Sequence, residues 1–432
     1  MSRNPSSPSE GAPREALRPT HAGELSSLQR RRRAERAVIV QLALGKASAA
    51  QTQADLDEAK ALVRSAGVEV AGTVAGRRDR PDPALFAGRG KVEEIASACR
   101  ADAADLVVFN HELSGIQERN LERALGCRVV DRRALILDIF AQRARSAEGK
   151  LQVELAQLEH LSTRLVRGWS HLERQRGGVG LRGPGEQQLE LDRRLIATRI
   201  RALRERLERI ARQRRTQRRL RQRREVVSVG IVGYTNAGKS TLFNRLTAAR
   251  SFAADQLFAT LDTTVRRLYL PGARPIVVSD TVGFVRDLPH ALVSAFRATL
   301  MEATEADLLL HVVDGASEER ERQVEAVESV LEEIGAAHIP RLTLVNKCDL
   351  PPLADQAGRV ERDSTGRITR IFVSAQTGAG IPALRAALQA QFPDSTCRPE
   401  MTLPTWSSCV AAPAAALLEA KRCDEFDDSS SL

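Results

Sequence analysis

The stretch that most constrains this chain runs from residue 226 to residue 246 and reads VVSVGIVGYTNAGKSTLFNRL. Its β-branched and apolar beginning, residues 226–232, predicts a buried strand, and the apolar residues near its end predict one face of a helix. Between them, residues 233–240 match the pattern G-x-x-x-x-G-K-[ST], which cradles phosphate with main-chain N–H groups. The stretch therefore predicts a strand, a phosphate-binding loop and a helix in direct succession.

The fixed positions of this loop each have a chemical role. Gly233 and Gly238 let the main chain bend so that its N–H groups face an anion. Lys239 is expected to reach the β- and γ-phosphates, and Ser240 to offer its hydroxyl to Mg²⁺. A Gly-rich turn without function is the alternative, which the flanking strand and helix disfavour. The nucleotide contacts predicted in the loop are Gly233, Tyr234, Thr235, Asn236, Ala237, Gly238, Lys239, Ser240 and Thr241.

Three more short motifs follow, each at the end of a predicted strand. In DTVG, Asp280 can hold Mg²⁺ through water, and the Gly283 N–H can sense a γ-phosphate. In NKCD, the Asp349 carboxylate can accept two hydrogen bonds from guanine, whereas adenine offers no such pair of donors. In IFVSAQ, the main chain of Ser374 and Ala375 can contact the guanine oxygen. The four motifs in this order predict a site for GTP and GDP. Their predicted contact residues are Asp280, Thr281, Val282, Gly283, Asn346, Lys347, Asp349, Ser374 and Ala375.

The segment DQLFATLDTTVRRLYL lies between the loop and DTVG, where a threonine should close over Mg²⁺ and the γ-phosphate. We assign this role to Thr264, with Thr263 and Thr260 as alternatives, and count Phe258 and Thr260 among the nucleotide contacts. Lys239, Thr264 and Gly283 are the predicted catalytic residues, and Ser240 and Thr264 the predicted metal ligands.

The residue after DTVG predicts a slow reaction. Many GTPases place a glutamine there to orient the attacking water, but this chain has Phe284, which cannot do so. Hydrolysis is therefore expected to need outside help. Asn236 stands where an asparagine can help to hold K⁺ against the phosphates, so a cation could take the place of an arginine finger.

Composition and pattern divide the chain into five parts. We predict a disordered basic tail (1–35), an N-terminal α/β domain (36–147), a helical hairpin arm (148–225), a P-loop GTPase domain with a mostly parallel, doubly wound sheet (226–392) and a disordered C-terminal tail (393–432). Six cysteines without a C-x-x-C pair indicate a reduced, cytoplasmic protein. No apolar run is long enough for stable membrane insertion, and we expect a monomer.

The predicted arm carries leucines and isoleucines at helical spacing on both sides of a glycine-rich tip, RGGVGLRGPGEQQLE, in which we expect no helix. A dense run of arginines follows, and the net charge is +10, which favours a nucleic acid partner. The alternative for the tip is a flexible turn, and the alternative for the arginine run is a solvated basic face. The predicted RNA contacts at the tip are Gly177, Gly178, Gly180, Arg182, Gly183 and Gly185.

The tip, the loop GYTNAGKSTLFN, the segment DQLFATLD and the run DTVGFVRDLPHALVSAFRATL together resemble the HflX family of ribosome-associated GTPases over roughly residues 37–392. The resemblance implies binding to the large ribosomal subunit and its rRNA, with the tip reaching toward the peptidyl transferase centre. It also implies ribosome splitting or rescue under stress, and binding of ATP, which NKCD does not predict. A peripheral membrane location is compatible with it.

The chain departs from the family at three places. Thr263 follows Asp262 where the family has proline, Gln187 replaces a threonine, and the residues after about 393 do not resemble the family's small C-terminal domain.

The residues leave two other functions open. An RNA scaffold with a slow GTPase timer would bind RNA whatever its nucleotide, whereas a signalling GTPase with a protein partner would leave the arginine-rich arm unexplained.

Overall fold

The structure is a computed structural model that describes residues 35–164, 184–223, 225–248, 257–286 and 303–394. Strands alternate with helices through the first part of the chain, as the sequence predicts. Its elements are β1 Arg36–Leu44, α1 Ala49–Ser65, β2 Glu69–Arg78, α2 Arg89–Ala101, β3 Leu106–Phe109, α3 Gly115–Leu125, β4 Arg128–Asp131 and α4 Arg132–Arg143. The strands form a parallel sheet in the order β2-β1-β3-β4.

Local signals in the sequence fix where these helices begin and end. Ser48 accepts a hydrogen bond from the Gln51 N–H at the start of α1, and Ser114 forms a capping box with Gln117 at the start of α3. Gly126 ends α3 in the left-handed region, with φ of 68°. Successive residues of β1 face opposite sides of the sheet, so Ile39 and Val40 belong to different apolar clusters.

The next two helices form the arm, α5 Ala147–Arg164 and α6 Pro184–Arg223. They run antiparallel, since Glu148 near the start of α5 pairs with Arg214 far along α6, and Glu159 pairs with Arg204. Leu151 and Leu155 pack against Leu203 between the helices. The other side of α5 carries Val153 and Ala156, which belong to the core shared with the N-terminal domain.

The last part of the described chain is an α/β domain. Its elements are β5 Val227–Gly233, α7 Lys239–Thr247, β6 Thr264–Leu268, β7 Ile276–Asp280, β8 Leu308–Asp314, α8 Arg320–Glu333, β9 Arg341–Asn346, a 3-10 turn Ala354–Gln356, β10 Val360–Arg362, β11 Ile368–Phe372 and α9 Ile381–Gln391. The sheet order is β10-β11-β9-β8-β5-β7-β6, with antiparallel β6 and β10 at its edges.

This order brings the carboxyl ends of β5, β7 and β9 to one edge of the sheet, where the predicted motifs follow the strands. An apolar core joins the two domains at the same edge. It contains Phe140 of α4 together with Leu257, Phe258, Val282 and Phe284 of the second domain. None of the described helices combines the length and the apolar character needed to cross a membrane.

Candidate nucleotide-binding site

The loop between β5 and α7 has the tight main-chain path that its glycines predict. Gly238 has φ of 91°, and a Cβ atom there would lie 2.2 Å from Nδ2 of Asn346. A Cβ atom at Gly233 would lie 2.2 Å from the Val312 carbonyl oxygen. Side chains at either position would collide with the neighbouring strand ends, so the loop can follow this path only with glycine.

The Lys239 side chain is buried beneath this loop. Its Nζ donates a hydrogen bond to the Tyr234 carbonyl oxygen at 2.6 Å. Burial lowers the pKa of Lys239 to about 8, while the nearby Asp280 carboxylate acts in the opposite direction. A Cβ atom at Gly283 would lie 3.0 Å from the same Nζ, so the ammonium and the glycine lie side by side. A phosphate placed there could meet both groups.

Three oxygen-bearing side chains converge at the start of α7. The Ser240 hydroxyl donates to Oδ2 of Asp280 at 2.7 Å and lies 2.6 Å from the Thr260 hydroxyl oxygen. Oδ1 of Asp280 is buried without a hydrogen-bond partner within the described residues, and burial raises the pKa of this carboxyl. Hydroxyl and carboxylate oxygens around an unsatisfied buried atom fit the preferences of Mg²⁺.

The structure brings Thr260, the alternative, and not Thr264 next to the predicted metal ligand Ser240. Thr260 stands beside Ser240, whereas Thr264 is the first residue of β6 and makes its main-chain pairing opposite Asp280. The cavity at the loop is lined by Thr260 and Phe258 but not by Thr264. The arginines through which Thr264 was chosen, Arg266 and Arg267, already belong to β6, so this geometry favours Thr260 as the metal ligand.

The predicted guanine-binding motifs also come together. Asn346 accepts a hydrogen bond from the Ala375 N–H at 2.9 Å and donates one to the Ala237 carbonyl oxygen at 2.8 Å. It therefore ties the phosphate loop to the segment after β11. The Ser374 hydroxyl donates to Oδ1 of Asp349 at 2.6 Å, which orients this half-buried carboxylate.

The Lys347 side chain completes the motif after β9. Lys347 has φ of 65°, and its Nζ forms an ion pair with Oδ2 of Asp314 at 2.6 Å. The left-handed main chain at Lys347 turns the strand end so that Asp349 can face Ser374. Among the remaining predicted contacts, Thr281 donates its hydroxyl to the Ile231 carbonyl oxygen, and Val282 is buried in the shared core.

Three family models match the chain, and together they span most of it. They are a GTP-binding GTPase N-terminal model over residues 53–141, a GTP-binding GTPase middle-region model over residues 143–221, and a 50S ribosome-binding GTPase model over residues 228–347.

The relatives are similar over nearly the same span. The GTPase HflX of Escherichia coli (strain K12) is 55% identical over 350 residues, 81% of this chain and 82% of the relative. The GTPase HflX of Magnetococcus marinus is 49% identical over 371 residues, 86% of this chain and 85% of the relative. The chain belongs to the HflX family of GTPases.

Among solved structures, a GTP-binding protein of Sulfolobus solfataricus in complex with GDP matches with a TM-score of 0.43 and 25% identity, over 82% of this chain and 98% of that one. The relatives and family models confirm the predicted family resemblance and the predicted multidomain α/β fold. The HflX-family chain is an enzyme that hydrolyses GTP.

The predicted tip of this HflX-family chain lies almost wholly outside the described residues. Gly177, Gly178, Gly180, Arg182 and Gly183 all precede residue 184. Gly185 is described, and the expectation that it excludes helix is wrong. Helix α6 begins at Pro184 and includes Gly185. Proline is tolerated in the first turn of a helix, where its missing N–H has no partner to lose.

Several contacts between domains that hold the HflX-family site in place were not predicted from the sequence, although Phe258 and Tyr234 were themselves predicted as nucleotide contacts. The Phe258 ring is buried against Phe140 of the N-terminal domain, with ring centroids 4.8 Å apart and nearly perpendicular planes. Asp262 and Tyr234 likewise contact other domains through hydrogen bonds. The partners of Asp262 and Tyr234 lie more than one hundred residues away in the sequence, so no local spacing predicts these contacts.

Proposed function

We propose that this GTPase binds the large (50S) ribosomal subunit and promotes ribosome dissociation or rescue in the cytoplasm under stress. GTP is the nucleotide that the site favours, with Mg²⁺ held by Ser240 and Thr260 and, through water, by Asp280. The ion would neutralise charge that develops on the phosphates during hydrolysis. Lys239 and the Gly283 N–H would contact the γ-phosphate.

One observation carries the proposal, the contact of Asp262 with the beginning of the arm. The Asp262 carboxylate accepts hydrogen bonds from the N–H groups of Arg145 and Ser146 at 2.8 and 2.7 Å. Asp262 belongs to the switch I segment (residues 257–263), which contains Thr260. A change in this segment on loss of the γ-phosphate would therefore act on the first turn of α5.

The surface of the arm supports a large polyanionic partner. Leu191 and Leu195 are 53% and 61% exposed, and they neighbour Arg193 and Arg194 on the same helix. A cavity of about 500 Å³ between the two helices is lined by Arg193, Arg201 and Arg204 together with Ile196 and Ile200. Arginines bind phosphate, and exposed apolar groups add contacts that exclude water.

The buried environment of Phe284 supports slow hydrolysis without a partner. The Phe284 side chain is 1% exposed and packs in the shared core. It carries no polar group, so it cannot orient the attacking water. Asn236 has φ of 60° and lines the phosphate cavity, where K⁺ could bind beside the nucleotide. The ribosome would supply whatever further groups the reaction needs.

The test is GTP turnover with and without purified 50S subunits, at low and high K⁺, for the wild type and for a variant lacking residues 177–183. Both proteins should hydrolyse GTP alone at similar rates, and 50S subunits should accelerate the wild type many-fold. Separation of 70S ribosomes, followed by light scattering, should be lost in the tip variant. Splitting that survives the deletion would contradict a role of the tip, and RNA binding indifferent to nucleotide would favour the scaffold instead.

A further inference from the structure

A closed ring of partly buried hydrogen bonds joins the N-terminal domain to the nucleotide site. It starts at Arg132, the first residue of α4, which is 6% exposed. The guanidinium donates from Nη1 to Oδ1 of Asn110 at 2.6 Å and from Nη2 to Oε1 of Glu58 at 2.5 Å. Nη2 also donates to the Arg286 carbonyl oxygen in the other domain at 2.9 Å. One arginine thus connects a strand end, a helix and the segment after DTVG.

Tyr234 of the phosphate loop completes the ring. Its hydroxyl donates to Oε2 of Glu58 at 2.8 Å and accepts the Arg286 N–H at 2.9 Å. Burial, followed by the Glu58 charge, raises the pKa of Tyr234, so this hydroxyl remains a donor at neutral pH. The Arg286 side chain also pairs with Asp55 of α1. Both main-chain polar groups of Arg286 are therefore held by groups outside its own segment.

The ring fixes the segment that contains Gly283. Immediately before Arg286, the Phe284 N–H donates to the Gly233 carbonyl oxygen at 3.1 Å, and the Thr235 N–H donates to the Phe284 carbonyl oxygen at 2.7 Å. The main chain from Gly283 to Arg286 is thereby anchored at the phosphate loop and at the N-terminal domain. Within hydrogen-bond networks of this kind, removal of one buried partner leaves the others unsatisfied.

We propose that Glu58 and Arg132 are positioning residues of the nucleotide site that set its preference for GTP over GDP. Neither residue lines the cavity at the phosphate loop. They hold residues 283–286 so that the Gly283 N–H is already in place for a γ-phosphate, and the binding of GTP does not have to order this segment. GDP lacks the phosphate that this N–H would meet, so its affinity does not depend on the ring.

The test compares three conservative variants, Glu58→Gln, Arg132→Lys and Tyr234→Phe. Arg133→Lys is the matched control, because Arg133 follows Arg132 in α4 and pairs only with Glu112 among the ion pairs described for it. Affinities for GDP and for a non-hydrolysable GTP analogue are measured by calorimetry with Mg²⁺ on the full-length protein. Thermal unfolding is recorded for every variant.

Each of the three variants should bind the GTP analogue about tenfold more weakly, the size expected for one lost hydrogen bond to a charged group. GDP affinity of Glu58→Gln and Arg132→Lys should stay within about twofold of the wild type, and the control should match the wild type for both ligands. The double variant Glu58→Gln/Tyr234→Phe should lose no more than either single variant, since both changes break the same ring.

A ratio of GTP-analogue to GDP affinity equal to that of the wild type in Tyr234→Phe and Arg132→Lys would overturn the proposal. So would an equal loss for both ligands, which would assign the ring a structural role only. Tyr234→Phe removes a single hydroxyl and keeps the aromatic ring in the core, so it tests the proposal even where the Glu58 and Arg132 variants fail to fold.

Discussion

The Asp262 carboxylate accepts two hydrogen bonds from Ser146, one from the main-chain N–H at 2.7 Å and one from the hydroxyl at 2.5 Å. Ser146 immediately precedes α5 and caps it by accepting the Gly149 N–H, so an aspartate from the GTPase domain holds the capping residue of an arm helix. A Cβ atom at Gly149 would lie 2.2 Å from the same carboxylate, so the first turn of α5 is shaped to receive it.

Asp262→Ala should release the capping residue Ser146. We expect the free energy of unfolding to fall by about 1.5–3 kcal/mol, the usual contribution of a hydrogen bond to a charged group. Under the proposed function, stimulation of GTP turnover by 50S subunits should fall while turnover without ribosomes changes little. Asp363→Ala is the matched control, since Asp363 accepts the Thr365 and Arg367 N–H groups in an exposed turn. Full stimulation of the Asp262→Ala protein would contradict this coupling.

Thr260→Ala and Thr264→Ala should separate the two candidate metal ligands. Because the Thr260 hydroxyl lies beside Ser240, its removal should lower the turnover number about 100-fold and raise the Mg²⁺ concentration needed for half-maximal activity. Thr264→Ala should change both quantities much less. Turnover assays over a Mg²⁺ series check this, and the reverse ranking would restore Thr264 as the ligand.

Asp349→Asn should change base selectivity. The carboxylate would accept from the guanine N–H groups, whereas an amide would donate to the 2-carbonyl of xanthine. We expect GTP affinity to fall about 100-fold or more and xanthosine triphosphate to become the better ligand. Ser374→Ala, which removes the hydroxyl that orients Asp349, should weaken GTP binding less and without this exchange. Competition binding with both triphosphates measures the two effects, and equal losses for both bases would argue against direct base recognition.

Acid should destabilise the GTPase domain through His311, which is 4% exposed in β8. Burial lowers its pKa from 6.5 to about 4, with Arg341 and Lys239 contributing in the same direction. The unfolded chain therefore binds a proton between these two pH values that the folded chain does not. This part of the stability is complete above pH 6.5 and is lost as the pH falls toward 4.

His311→Gln should remove that loss. Between pH 7.5 and pH 5, urea unfolding of the wild type should lose about 2 kcal/mol more than unfolding of the variant. His338→Gln, at an exposed position, is the control and should keep the pH dependence of the wild type. Parallel curves for His311→Gln and the wild type would rule out this histidine as the cause.

The sequence predicts the G-domain motifs well because each is local. Strand, glycine turn and helix follow one another within about twenty residues, and each motif lies at a strand end that the parallel sheet brings to one edge. The alternation of elements in the N-terminal domain is equally local. Gly126 and Ser114 mark the ends of α3 directly.

The contacts between domains could not be predicted in the same way. Glu58 reads as an ordinary polar residue of α1, yet it accepts from Tyr234 at a separation of 176 residues. Thr260 and Thr264 lie close together in the sequence, and no local pattern shows which of them faces Ser240. The distinction comes from where β6 begins, at Thr264. Pro184 and Gly185 looked like helix breakers because their composition was considered without their position at the beginning of α6.

Helix α6 has 40 residues and so spans about 60 Å. Only residues 224–226 lie between its end and β5, the strand that leads into the phosphate loop. Three residues therefore connect the arm to the strand of the phosphate loop. Since each residue of a helix turns it by about 100°, adding or deleting one residue of α6 near this junction would rotate the rest of the arm helix by about 100° relative to β5. A change of chain length here would reorient the arginine-bearing surface of α6 without altering any of its side chains.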